Sequence, residues 1–368
     1  VGETVRDLTI GDRTQRALLP VLERTEGLLS KVASTVNGLQ CDAEVVALTD
    51  LGIATNPGRM SGGFFTGAHY RWEGEVPMVP VDATVNVCSV SVHRVDQPPT
   101  TEAEFFELIG AAEERCGRET EYRWNLADGN HFASLGGVVD STSIPDGDYL
   151  VLHHSASEFK RTPGGLYPES NVWFADDVRE VNDGVSSLRY IAGAPAERFI
   201  QKAHSLVSYT EERHRVLARL IGDQLRLAFV DCLPHYGMPD EHSVAIGCHW
   251  MPSSAPRWFL LLTEPDARIP IITPRRGTNL VQIGGAEHML TPHGLGVRGK
   301  DDLMDSLNDG SEPGNSEISG APEMLDRDDT EWRSIERSPE LLRRILGVTP
   351  GDVDGWFTPR FSYHRGRR

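Results

Sequence analysis

Leu18, Leu19, Leu22, Leu28, Leu29 and Val32 recur at three- and four-residue steps, which predicts an amphipathic helix over residues 14–37 with Gly38 as its stop. Residues 76–95 keep a different period. There Val79, Val81, Val85, Val87, Val90 and Val92 alternate with small or polar residues, which predicts a strand on a partly buried sheet with Cys88 inside it. A second helix is expected over 101–116, because Thr101 is followed three residues on by Glu104 in a capping-box pattern. Strands are expected at 149–153 and around Trp173. The apolar stripe Phe199, Ala203, Leu206, Val207, Val216, Leu217, Leu220 and Leu225 predicts a long helix over 196–228. Further strands are expected at 258–263 and 280–283. Residues 300–329, rich in Asp, Glu, Gly, Ser and Pro and without a period, read as a long loop or insertion.

Composition narrows the class. At 368 residues and 39% hydrophobic content the chain can bury a large core, as one domain or two. No charged-then-apolar signal pattern opens it, and its longest apolar runs, such as Trp258 to Leu262, are too short to cross a bilayer. A cytoplasmic protein without a membrane partner is the expectation. The five cysteines are scattered and show no CxxC spacing, which argues against a disulfide framework or a zinc ribbon. A net charge of −18 argues against broad nucleic-acid binding but leaves room for a local basic site, for which Arg275 and Arg276 are the best candidates.

Candidate chemistry lies in four histidines set beside Gly, Ser, Asn or Pro rather than in apolar periodic runs. They are His131 in Asp128-Gly129-Asn130-His131-Phe132, His154 in His153-His154-Ser155-Ala156-Ser157, His235 in Cys232-Leu233-Pro234-His235-Tyr236, and His293 in Pro292-His293-Gly294-Leu295-Gly296. Imidazoles presented from strand ends and tight turns suit a metal or nucleophile site. His153 and His154 point to opposite faces of a strand, so one of the two is expected to reach a shared centre. His242, His249 and His288 are read as supporting or surface residues, and His69 as an exposed loop histidine.

In chain order, Cys88, Gly129-Asn130-His131-Phe132, His154-Ser155-Ala156-Ser157, His235 running into Glu241-His242, and His293-Gly294-Leu295-Gly296 resemble the motifs of the RtcB family of RNA-splicing ligases. Ile272-Thr273-Pro274-Arg275-Arg276-Gly277 is similar to a further family segment, and the likeness covers roughly residues 60–300. The resemblance implies an α+β, RtcB-like fold, with mixed β-sheets and helices around a central metal site. The chain is expected to form a single RtcB-like domain over 1–368 with its core at about 60–300, followed by an acidic loop or insertion at 300–330 and a C-terminal helix with a basic tail at 331–368. The resemblance also implies that Cys88, His131, His154 and His235 hold one or two Mn²⁺ ions and that His293 takes the nucleotide of GTP. Asn130, Arg298, Arg275 and Arg276 would contact phosphate. The implied reaction joins an RNA 3′-phosphate or 2′,3′-cyclic phosphate to a 5′-hydroxyl, on RNA ends or a tRNA-like substrate, with an activating protein partner.

The chain departs from the family pattern at several places. Val85 stands where the family has an aspartate three residues before its cysteine, Ser134 replaces a glutamate, and Tyr236 an asparagine. Glu264-Pro265-Asp266 replaces a basic segment, and no lysine follows Lys300 to hold guanine. These changes imply an alternative, an RtcB-like metal-binding protein without ligase activity, either a phosphate-ester hydrolase or a non-catalytic partner-binding module.

Overall fold

The computed structural model describes residues 13–52, 57–252, 258–262, 268–273, 280–283, 286–292 and 353–366. Helix α1 (Arg13–Asn37) ends where Gly38 takes a φ of 68° and closes on the Ser34 carbonyl, as the stop signal predicts. Strand β1 (Ala43–Gly52), a short helix α2 (Pro57–Ser61) and β2 (Thr66–Trp72) follow. The valine-rich segment then splits into β3 (Met78–Pro80), a 3-10 turn and β4 (Cys88–Val95), so Cys88 is the first residue of its strand. Helix α3 (Glu102–Glu119) carries the full capping box between Thr101 and Glu104. Next come β5 (Phe132–Val139), β6 (Gly147–Ser155), β7 (Arg179–Asn182), β8 (Ser187–Ala192) and α4 (Ala194–Gly222). The remaining strands are β9 (Leu227–Gly237), β10 (Ser243–Ile246), β11 (Cys248–Pro252), β12 (Phe259–Leu260), β13 (Ile269–Ile272), β14 (Leu280–Ile283), β15 (Ala286–Pro292) and β16 (Val353–His364).

Ten strands form one sheet in the order β1-β2-β10-β9-β4-β6-β5-β16-β13-β12, beside two three-stranded sheets, β11-β15-β14 and β3-β8-β7. Every pairing between described strands is antiparallel, so the chain is a mixed α and β protein built on antiparallel sheets. The central strands are apolar on both faces because each face has its own cover. Val90, Val92, Val151 and Leu233 pack against Phe259, Ile269 and Ile271, whereas Leu150, Leu152, Ala133 and Leu135 pack against Phe105 and Ile109 of α3 and Leu217 and Ile221 of α4. Each such fully buried aliphatic side chain stabilises the fold by about 1.5–3 kcal/mol. This double burial fixes the register, since a one-residue slip would exchange the two faces.

Three expectations need correction. Around Trp173 there is no strand: its N–H bonds the Pro163 carbonyl, its indole N–H bonds the Gly165 carbonyl, and a 3-10 turn follows at Ala175–Asp177. The long helix stops at Gly222, six residues early. Leu225 closes a turn on the Gly222 carbonyl at 2.8 Å, Arg226 adopts a φ of 51°, and Leu227 opens β9, so the apolar positions after 222 belong to a turn and a strand. Of the C-terminal helix and basic tail expected over 331–368, residues 353–364 instead form β16, a strand inside the large sheet between β5 and β13, and residues 331–352 lie outside the described residues. Pro359 is tolerated there because the register shifts beside it, between Pro359 and Phe361. The acidic stretch 300–330 lies outside the described residues.

Candidate metal centre

Four neighbouring strands bring the chemistry to one end of the large sheet. β4 and β5 begin there, and β6 and β9 finish there. The register places Cys88 opposite Ser155 and Val90 opposite His153. Cys88 and Val90 share a face, so Cys88 and His153 are diagonal neighbours on it. His235 joins them through a β-bulge: Cys88 pairs with Tyr236 and Ser89 with Pro234, which leaves His235 as the extra residue. Without that insertion His235 would lie opposite Ser89, on the face covered by α4. Bulges re-aim side chains beside functional sites and also accommodate a strand proline, here Pro234.

The resulting geometry is compact. Cys88 Sγ lies 3.2 Å from His153 Nε2, which lies 3.2 Å from His235 Nε2, and the three donor atoms all fall within 4.8 Å of one another. Two donors about 3.3 Å apart is the edge of a tetrahedron drawn around an ion with metal–nitrogen bonds of about 2.0–2.1 Å. His131 stands at the rim, with Nε2 4.0 Å from Cys88 Sγ and 3.4 Å from Ser155 Oγ. His249, on β11, is buried with its ring 5.2 Å from that of His235.

Backbone carbonyls fix the tautomers. A carbonyl oxygen only accepts, so His131 Nδ1–H donates to Asn125 O at 3.0 Å and His153 Nδ1–H donates to Asn130 O at 3.0 Å. Both Nε2 lone pairs are therefore free of protons on the side that faces Cys88. The turn that makes this possible runs from Asn125 to His131, with Asp128 N–H bonded to the Asn125 carbonyl and His131 N–H to that of Asp128. Gly129 sits in it at a φ of 64°, where a side chain would strain the backbone. Asn130 thus serves the site through its main chain, while its side chain is exposed.

Burial disfavours charge on Cys88 and His131. It pushes the Cys88 thiol up to about 12, an effect that the Lys160 charge opposes, and it holds His131 well below the usual imidazole range. A divalent cation would draw the proton off such a thiol. One thiol and two imidazoles, with no carboxylate among the three, suit a borderline transition cation.

His154, which the motif resemblance assigns as a ligand, is elsewhere. It pairs with Ser89 on the α4 face, stacks on His214 with ring centroids 3.5 Å apart, and accepts from Arg213 Nη1 at Nδ1 over 2.6 Å. With Nδ1 accepting, its proton resides on Nε2, so neither nitrogen is available to an ion near Cys88. His153 takes the place instead, because strand alternation gives the Cys88 face to the odd-numbered residues of β6. Arg213 is wholly buried and also donates to Glu158, Asn125 and the Arg123 carbonyl. His69 is a buried residue of β2 rather than an exposed loop histidine. His293, Arg298, Arg275 and Arg276 lie outside the described residues. Arg213 and Lys160 carried no sequence signal, since neither stands in a motif.

The five cysteines are all free, as their scatter implies. Among the described residues no helix is long and apolar enough to cross a membrane. No protein-family model, curated protein or solved structure significantly matches this chain.

Proposed function

We propose that this chain is a divalent-metal-dependent phosphoryl-transfer enzyme of the RtcB type, acting on RNA ends that carry a 3′-phosphate or 2′,3′-cyclic phosphate and a 5′-hydroxyl. The observation that carries the proposal is the convergence of Cys88, His153 and His235 from three strands, with donor atoms within 4.8 Å, at a sheet end where His131 forms the rim. A cation held there would polarise phosphate oxygens and offset the charge that develops in the transfer. The chain's own part is to hold three donors rigid through buried strands and to set the tautomers of His131 and His153 by carbonyls. Mn²⁺ as the ion, GTP as the nucleotide and His293 as its attachment point come from the resemblance, with Arg298, Arg275, Arg276 and Asn130 as phosphate contacts.

One observation favours a second reading, a metal-binding protein of this kind that does not ligate and either hydrolyses phosphate esters or serves a partner. The imidazole matched to a family ligand, His154, is committed to Arg213 and His214. The deciding measurement is intact-protein mass after incubation with Mn²⁺ and GTP or ATP, beside His293→Ala. A nucleotide-monophosphate adduct that vanishes in the variant is the expected result. No adduct at full metal occupancy would overturn ligation in favour of the second reading.

A further inference from the structure

All four residues of the cluster are buried, and Cys88 and His131 are the least so, at 8% and 6% exposure against 1% and 2% for His153 and His235, so the shortest way in from solvent lies on their side. The chain leaving β6 covers that side. Ser155 faces Cys88 across the ladder, Ala156 N–H bonds the Val87 carbonyl at 3.3 Å, and two tight closures follow, Phe159 to Ala156 and Lys160 to Ser157. This short turn brings Lys160 back to the same sheet end, close enough for its charge to act on both Cys88 and His131.

Lys160 is half-buried, and its ammonium has no hydrogen-bond or ion-pair partner among the described residues. Asp128 and Glu158 are near enough to influence it, but the Glu158 carboxylate is engaged by Arg213 at 3.1 Å. A partly desolvated cation that no carboxylate among the described residues contacts is stabilised by an anionic ligand. It is also conspicuous in a chain of net charge −18 with four lysines.

We propose that Lys160 is a substrate-binding residue, which grips a phosphate group on the less buried Cys88–His131 side of the metal centre. The proposal rests on reading Cys88, His153 and His235 as that centre. The ligand class is a terminal phosphate, whose two negative charges match an ammonium on one side and a cation on the other. A lysine suits this task as a mobile point charge on a flexible stem. The same arrangement explains how a strongly acidic protein can admit an anion: the attraction is confined to that side of the site.

The test uses the full chain loaded with Co²⁺, whose thiolate charge-transfer and ligand-field bands report occupancy and inner-sphere change separately from any turnover. Inorganic phosphate is titrated into the wild type, Lys160→Met, Lys160→Gln and Lys160→Arg. The expected result is unchanged Co²⁺ uptake in all four, with phosphate affinity weakened about tenfold or more by Met and Gln and largely retained by Arg. An oligoribonucleotide ending in a 3′-phosphate is expected to show the same dependence, and its 3′-hydroxyl counterpart none; dependence for free phosphate alone makes the ligand a small anion rather than an RNA end. Failure of the wild type to bind Co²⁺ overturns the metal centre itself. Normal Co²⁺ bands with phosphate binding absent, or equal in the wild type and the Met and Gln variants, overturn the role of Lys160.

Discussion

Two adjacent histidines with opposite fates give the sharpest test of the site. His153 and His154 are equally buried, at 1% and 0% exposure, so replacing either with alanine should destabilise the fold by an amount of the same order, about 1–3 kcal/mol. Metal binding should separate them. A buried site of four such donors binds with about 10–16 kcal/mol, or about 2.5–4 kcal/mol per donor, and tenfold in affinity is about 1.4 kcal/mol. His153→Ala removes a donor whose Nε2 is 3.2 Å from both Cys88 Sγ and His235 Nε2, so affinity should fall about 10²–10³-fold. His154→Ala removes only a stacking partner of His214 and an acceptor for Arg213, and should change affinity by less than about tenfold. Competition between the protein and a chromophoric chelator for Zn²⁺ or Co²⁺ reads both. If His154→Ala loses the metal and His153→Ala keeps it, the face assignment is wrong and the family motif is the better guide.

Two further outcomes follow from the buried polar layer and the site turn. His93 is pushed down to about 3 and His214 well below the ordinary range, both by burial with an arginine adding to the effect. Each takes up a proton on unfolding at a pH below about 6.5, so stability is lost as pH falls through that value, about 1.4 kcal/mol per group at pH 5.5 and about 3 kcal/mol together; urea titrations of chelator-treated protein at pH 7.5 and 5.5 check this, and equal midpoints with equal slopes would contradict it. Gly129→Ala meets no neighbouring atom but must hold a φ of 64°, so it should lower stability by about 1–2 kcal/mol, measured by the same titration, while a neutral result would mean the turn relaxes.

Much of the helical framework was legible because its signals are local. Gly38 and the Thr101–Glu104 pair each act within four residues of chain, and both mark real helix ends. Non-local determinants were not legible. Strand β16 carries Pro359 and ends in basic sequence, and only its pairing with Val138 and Ile269 through Phe357 makes it a buried strand. The fate of Trp173 was equally hidden, because a loop carbonyl from Gly165 and the guanidinium of Arg198, 4.6 Å from its ring, hold it rather than a ladder. For the site, residue context singled out His235, and only the motif resemblance set Cys88 beside it. The choice between His153 and His154 needed the register, which no local pattern encodes.

That choice also explains why a sheet end can support two unlike polar layers a single strand apart. The face with Cys88, His153 and His235 gathers lone pairs that point at one another, an arrangement suited to a shared cation. The opposite face gathers Ser89, Ser91, His93, His154, His214 and Arg213, whose donors and acceptors largely satisfy one another: His214 bonds Ser89 and Ser91 at 2.8 Å each, and Ser91 bonds His93 at 2.9 Å. A closed network of this kind gives α4 a fixed seat on the sheet, because breaking any member leaves a buried polar group unpaired. Arg213 connects the two layers. Through Asn125 Oδ1 it holds the residue whose carbonyl orients His131 and whose side-chain amide bonds the Ser155 carbonyl, so the rigidity of the closed face sets the geometry of the open one. A ligand set built on strand alternation and a single bulge depends on that support: the bulge at His235 supplies the facing, and the buried arginine keeps the rim in place.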